Sequence, residues 1–444
     1  AAWLDRYETW SADAWAPYST AERLTHLCAH GGVLLKGGDA MWRSRMLASM
    51  ARQTRHLTHV GHRAKTDYDR LLTACGLAIA ALCLPGCETP LERGLETLRR
   101  ELRLQIRPDG GHVSRNPSNQ LTLVIRLQMM IECFEARNLA APGFLKHVSA
   151  RATAFLKLFR CGDGRLAVFN GGYEDDGRAV STCLARGETD ALPSGFARRS
   201  GFQRLEAGRL ALIADTGLQD RSSSAAPTPK GDRYNGTGAF QLSSGRSRLV
   251  VNCGAGAHLS GDWTRALRKA AAHSALSADR RSPEAAVLTS TQVAHRRGED
   301  ARGQLLEIER KLALEAETLF YARRFFLGAR GEDLRGEDRL TGASRAFVFD
   351  LALRFHLHPS VRASMARDGK SVLLAAPNHE GWRFKSNCSD ITLEKSVYCG
   401  EGGAPQATEQ IVVRLGDLEP RPDGDMVAKW AFRRVEPSAR RLDV

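Results

Sequence analysis

From the start of the chain to about residue 160, apolar residues recur every third or fourth position. From about 202 onward they recur every second position. In TPLERGLETLRRELRLQI, Leu91, Leu95, Leu98 and Leu102 fall on one helical face. Thr89, Pro90 and Glu92 supply a cap, a first-turn proline and a capping-box acid. TAERLTHLCAHGGVLLKG carries a similar box spacing in Ser19 and Glu22. LTLVIRLQMMIECFEAR (121–137) and FLKHVSARATAFLKLFR (144–160) predict two more helices. Successive helices with short turns imply an array of helical hairpins.

The second grammar is that of strands. GRLALIADTG, GAFQLSSGRSRLVVNCG and AFVFDLALRFHLHPSV alternate. In the last, Phe347, Phe349, Leu351, Leu353, Phe355 and Leu357 share one face. Asp350, Arg354, His356 and His358 share the other, with Val348 and Ala352. Ser244-Gly245 and the repeated Gly-Glu-Asp tripeptides read as turns. Residues 218–235 read as a polar linker or loop. Helices followed by strands, not interleaved with them, predict two domains in the α+β class. The boundary is placed at 1–200 helical and 201–444 antiparallel β.

Composition narrows the function classes. The chain has 444 residues, which points to at least two domains. It carries 64 Lys+Arg against 50 Asp+Glu, a net +14 that attracts polyanions or simply serves solubility. No zinc-finger, RNP or basic-zipper pattern is present, so nucleic acid is not an expected partner. No apolar run reaches the roughly 20 residues of a membrane span. Ten cysteines without a C-x-x-C read as buried small side chains. That favours a reducing compartment, or a secreted protein whose thiols are shielded.

Two polar stretches interrupt the periodic pattern. PDGGHVSRNPSNQ (108–120) sets His112, Ser114, Arg115, Asn116, Asn119 and Gln120 between two helices. Asn116-Pro117 suits an N-cap with a proline start, and the helix N-terminus beyond it presents free N–H groups to an anion. CGDGRLAVFNGGYEDDGRAV (161–180) is Gly- and Asp-rich, too long for a bare connection, and holds Tyr173.

The order of segments is similar to that of the heparinase II/III-like proteins. It runs DGGHVSRNPS, CGDGRLAVFNGG, SGFQRLEAGRLALIADTG, FQLSSGRSRLVVNCG, Trp263 followed by HSALSAD, GEDRL, RFHLHP and GWRF. The likeness extends from near residue 20 to near 415 and rests on the order of motifs more than on any one of them. It implies an incomplete (α/α) toroid followed by an antiparallel β-sandwich, and a lyase acting on uronate-containing polysaccharide, most often in the periplasm. The opening AAWLDRYETW contains no visible leader, which leaves the cytoplasm open.

Such a lyase needs a donor that neutralises the uronate carboxylate, a base for the C5 proton and an acid for the leaving oxygen. Asn116, Tyr173, Tyr234 and His273 are the candidate catalytic residues. His112, Arg115, Asn119, Gln120, Arg265 and Arg268 are the candidate substrate contacts, with an acidic polysaccharide or oligosaccharide as the expected partner. Arg265 or Arg268 is also a candidate to lower the pKa of Tyr234. The resemblance implies a zinc held by a second His, an Asp and a late His. Here those positions carry Tyr234, Asn252 and His273, and Asp232 stands at the family's catalytic His. Tyr and Asn are poor zinc ligands, so no metal or other cofactor is expected. A weak or inactive glycan-binding member, or one that assists glycan export, remains the alternative. His356 and His358 alternate as two metal ligands would, but with no third ligand apparent they read as an ordinary polar strand face.

Overall fold

The computed structural model describes residues 2–187, 195–217, 234–278, 289–313, 318–342, 348 and 351–435. Helices come first. They are α1 (Ala2–Tyr7), α2 (Pro17–Ala29), α3 (Gly31–Leu34), α4 (Ala40–Val60) and α5 (Asp67–Cys83), then α6 (Glu88–Gln105), α7 (Pro117–Ala136), α8 (Gly143–Leu156) and α9 (Gly177–Ala185). The helix α10 (Gly261–Leu267) lies among the strands. Successive long helices pack as an incomplete toroid. Its centre is α5, which is apolar nearly all round and buried from Leu71 to Leu82. Thr66 and Asp69 start that helix with a reciprocal capping box.

The strands form two antiparallel sheets. The first contains β1 (Phe196–Ala197), β2 (Phe202–Ala207), β3 (Leu210–Asp215), β4 (Phe240–Ser244), β5 (Ser247–Val251), β6 (Leu276–Ala278), β11 (Leu351–Leu357), β15 (Ile391–Tyr398) and β16 (Gln406–Arg414). The second contains β7 (Thr289–Asp300), β8 (Gly303–Ala313), β9 (Thr318–Gly328), β10 (Asp333–Thr341), β12 (Arg362–Met365), β13 (Ser371–Ala375), β14 (Gly381–Ser386) and β17 (Met426–Val435). Alternating apolar residues of both sheets meet in one core. At its centre Phe240 stacks on Trp430 at 5.7 Å and Phe355 meets the same indole edge-on at 4.9 Å. Each such buried ring contributes about 2–3 kcal/mol.

The outer face of the first sheet carries the helical region. Phe155, Phe159 and Phe169 pack on Phe202 and Ile213 across this seam. The seam is also tied by half-buried polar pairs. Arg248 Nε donates to Asp163 at 2.7 Å, and Ser200 Oγ to Asp109 at 2.6 Å.

Several local expectations are corrected. The helix assigned to the Ser19 box starts at Pro17, whose fixed φ opens the first turn two residues earlier, and Ala16 precedes it without a side-chain cap. The Thr89 cap is likewise inside a helix that begins at Glu88. Gly331-Glu332-Asp333 does turn between β9 and β10, but Gly298-Glu299-Asp300 forms the end of β7 and Gly336-Glu337-Asp338 lies within β10. There Gly336 makes room for the Trp430 indole, which lies where a Cβ would project. Asp338 is fully buried and accepts from Arg323, Tyr321 and Trp430. Phe347, Phe349 and Asp350 of the alternating strand, and most of the 218–235 linker, lie outside the described residues.

Candidate functional site

The long 161–180 loop folds back against the first sheet and carries Tyr173 to the seam. Glu174 N–H donates to Gly400 O at 2.8 Å, and Tyr173 N–H donates to Ser118 Oγ at the same distance. Gly171 has φ +82, and its missing Cβ leaves space that the Tyr234 hydroxyl fills. A Cβ on Gly172 would stand 3.0 Å from Asn116 Oδ1. The loop therefore brings Asn116, Tyr173 and Tyr234 together from a helix start, a loop and the segment leading into β4.

Asn116 is the N-cap of α7. Its Oδ1 accepts from Ser118 N–H at 2.9 Å and Asn119 N–H at 3.3 Å. That fixes the amide and leaves Nδ2 as a donor without a partner among the described residues. Tyr173 Oη lies 3.0 Å from His258 Nδ1. His258 Nε2 lies 2.7 Å from Gly403 O, a carbonyl that only accepts, so Nε2 carries the proton and Nδ1 accepts from the phenol. His258 was not among the sequence candidates. It is far from Tyr173 in the chain, in a loop of no distinctive pattern, and only the fold pairs them.

Burial raises the pKa of Tyr173, and the neighbouring Tyr234 phenol adds to the effect. Burial also raises that of Tyr234, and the Arg268 guanidinium, bonded to it and 5.8 Å from its ring, only partly opposes the rise. The expected lowering of the Tyr234 pKa is thus corrected: desolvation wins, and both phenols rest protonated. Arg265 lies elsewhere on the surface, its side chain 70% exposed and paired with Asp262.

His273 lies against Tyr234, ring centroids 6.2 Å apart, and is 3% exposed. Burial drives its pKa down to about 4, and among the described residues its Nε2 has no partner. A zinc does not fit around it. Gly236 packs on the imidazole, with its Cβ position 3.1 Å from Nδ1. Asn252 is spent elsewhere, accepting from Ser274 N–H at 3.0 Å and donating to Val168 O at 2.9 Å. Asp232 lies outside the described residues.

The rest of the 108–120 stretch serves the fold, contrary to its reading as substrate contacts. Arg115 is 2% exposed. Its guanidinium is ion-paired with Asp215 and donates to Ser200 O at 2.9 Å, Gly201 O at 2.9 Å and Gly217 O at 3.2 Å. His112 Nε2–H donates to Gln105 Oε1 at 2.9 Å while Nδ1 accepts from Ser114. Burial, with help from Arg107, takes its pKa to about 3. Gln120 donates to Gly110 O and Ala152 O and accepts from His112 N–H. Asn119 donates to Ser114 Oγ, and its carbonyl accepts from Tyr68.

Beside this site, Asp163, Arg165, Glu174, Arg248, His358 and Glu401 line a cavity of about 430 Å³. Glu174, His358 and Glu401 bring three metal-donor groups close together. The Glu174 carboxylate is already satisfied by Tyr398 Oη at 2.5 Å, Arg165 at 3.1 Å, His358 at 3.3 Å and Arg248 at 3.5 Å. Burial alone would raise its pKa; His358, Arg248 and Tyr398 bring it down to about 2. The cluster is a junction between loop and sheet. His356 belongs to neither site: it is buried against Ser396 and Ala271 O, on the face of β11 that turns away from the sandwich core.

Comparison with known proteins agrees with this architecture. The family model "Heparinase II/III-like, C-terminal" matches residues 189–430. FtsZ-localized protein C of Caulobacter vibrioides is 29% identical, over 98% of this chain and 77% of its own. Among solved structures, heparinase III superposes with a TM-score of 0.74 at 14% identity, covering 98% of this chain and 72% of its own. Heparan sulfate lyase HepC from Pedobacter heparinus gives 0.65 at 13%, covering 98% and 71%.

Proposed function

Because the chain belongs to the heparinase II/III-like family, we propose that it is a polysaccharide lyase that cleaves a uronate-containing acidic polysaccharide by β-elimination. The observation that carries this reading is the Tyr173–His258 hydrogen bond beside Tyr234 and Asn116.

The chemistry divides among these groups. Asn116 Nδ2 donates to the uronate carboxylate and lets charge build there as C5 loses its proton. One such donor is worth about 10²–10³ in rate. A phenol with a raised pKa is a poor resting base. Tyr173 escapes this because its own proton passes to His258 Nδ1 as its oxygen takes the C5 proton. The C5–H electron pair forms the C4–C5 double bond, and the C4–O bond breaks. Tyr234, protonated at rest, gives its proton to the leaving oxygen. Arg268 steadies the phenolate that remains, and His273 packs behind Tyr234. A periplasmic location is part of this reading.

A second reading, of an inactive member that binds an acidic glycan, is supported by the replaced zinc positions Tyr234 and Asn252. The name FtsZ-localized protein C ties that relative to FtsZ and states no lyase activity for it, which is compatible with this second reading. The test mixes the purified chain with a panel of uronate glycans and follows the ultraviolet absorbance of the conjugated uronate. A rise with any glycan supports the lyase; tight binding without a rise supports the second reading.

A further inference from the structure

On the outer face of the second sheet, on the far side of the sandwich from Tyr173, we propose a second, non-catalytic site that binds an acidic oligosaccharide. The strand register places Lys385, Ala431, Arg335, Phe326 and Leu305 in one row across β14, β17, β10, β9 and β8. At the spacing of paired strands the row is about 19 Å long, room for several sugar rings. It lines a groove of about 410 Å³, with Arg324 and Lys429 on one flank.

Two features mark the groove as built for an anion. Arg383 and Arg433 stand directly opposite each other on β14 and β17 at its other flank, both exposed. Like charges in that register repel, and among the described residues no carboxylate bonds to either. The row itself alternates charge with flat apolar surface. Arg335 lies 5.6 Å from the half-buried Phe326 ring, and Leu305 is 41% exposed. A sugar ring offers C–H faces to such a platform while its carboxylate or sulfate reaches Lys385, Arg383 or Arg433. Glu337, the acid that lines the groove, is held by Arg324 at 3.4 Å and Arg339 at 3.2 Å, and Asp333, which stands opposite Arg433 on β10, is held by Arg335 at 2.6 Å, so neither is bonded to Arg383, Arg433 or Lys385. Phe326 is only partly exposed and is flanked by cations, which suits a sugar chain better than a lipid surface.

The positive groove stands on its own; the choice of glycan rests on the lyase reading. The experiment separates the two. A heparin-derived oligosaccharide and an oligogalacturonate are titrated by calorimetry into the full chain carrying Tyr173→Phe and Tyr234→Phe, so that nothing is cleaved. Two oligosaccharides per chain are expected. Adding Arg383→Glu and Arg433→Glu should remove one of them, or weaken it about tenfold or more, and should not lower the melting temperature. Phe326→Ser should weaken the same site several-fold. The same reversals should leave cleavage of a short glycan by the otherwise native chain unchanged. If the native chain cleaves nothing but the reversals still remove a site, only the lyase reading fails. Unchanged stoichiometry and affinity in the reversed chain overturns the groove. So does polyglutamate, or a phosphatidylglycerol vesicle, binding there as tightly as the oligosaccharide.

Discussion

Replacing Arg115 with Ala should unfold the seam between the helical region and the first sheet. The guanidinium is buried, ion-paired with Asp215, and bonded to three main-chain carbonyls of the 200–217 segment. Removing it leaves Asp215 charged in a dry site. Among the described residues, Asp215 then keeps hydrogen bonds from Asn170 Nδ2 at 3.3 Å and Gly217 N–H at 3.1 Å, with the charge of the buried Arg310 nearby. Breaking a buried pair from one side costs about 3–5 kcal/mol. For a unit of this size that lowers the melting temperature by roughly 10 °C. Arg115 also sits at φ 57, so Arg115→Gly relieves backbone strain while removing the same side chain and should be less damaging than Ala. Arg115→Met with Asp215→Asn removes both charges and should recover more than half of the loss. Thermal unfolding of the four proteins, followed by circular dichroism, measures each term. An Arg115→Ala protein that melts within about 1 °C of the native chain, yet binds glycan far more weakly, would refute this reasoning and return Arg115 to the substrate.

Three further outcomes follow. Tyr173→Phe and His258→Gln should each lower lyase turnover about 10²-fold or more without moving the melting temperature; equal activity in His258→Gln removes it from the proton path. His112, His273 and His356 are held neutral by burial, with folded pKa values near 3, 4 and 3 against an ordinary 6.5. Their stability contribution is complete above pH 6.5 and falls as pH drops toward 4, by about 2 kcal/mol per imidazole at pH 5. A melting temperature flat between pH 7 and 5 contradicts their burial. Gly336→Ala should cost about 1–3 kcal/mol, because the Trp430 indole occupies the space of the new methyl; urea unfolding measures it.

The change of period from helix to strand was legible because burial on one side of an element stamps its repeat on the sequence. Asn116-Pro117 was legible as a cap because both halves of that signal are local. Arg115 was not, since the carboxylate that claims it stands 100 residues away and a charged residue beside a helix start looks the same facing solvent or buried. His258 stayed hidden for a related reason: its role comes from Gly403 and Tyr173, each from a different segment. The Ser19 box misled because a proline at the first turn sets the start more firmly than a hydroxyl; the helix holding Thr89 starts at Glu88, one residue before the hydroxyl and two before Pro90. The third Gly-Glu-Asp misled because Gly336 serves packing, where glycine in a polar tripeptide usually signals a turn.

The most direct test of the central claim is the mass of the new chain end after prolonged incubation with uronate glycans. Elimination leaves a non-reducing end one water lighter than hydrolysis would, and the account predicts that lighter product from the native chain and none from Tyr173→Phe. Hydrated ends, or intact glycan that nonetheless binds at the Asn116–Tyr173 site, would contradict it.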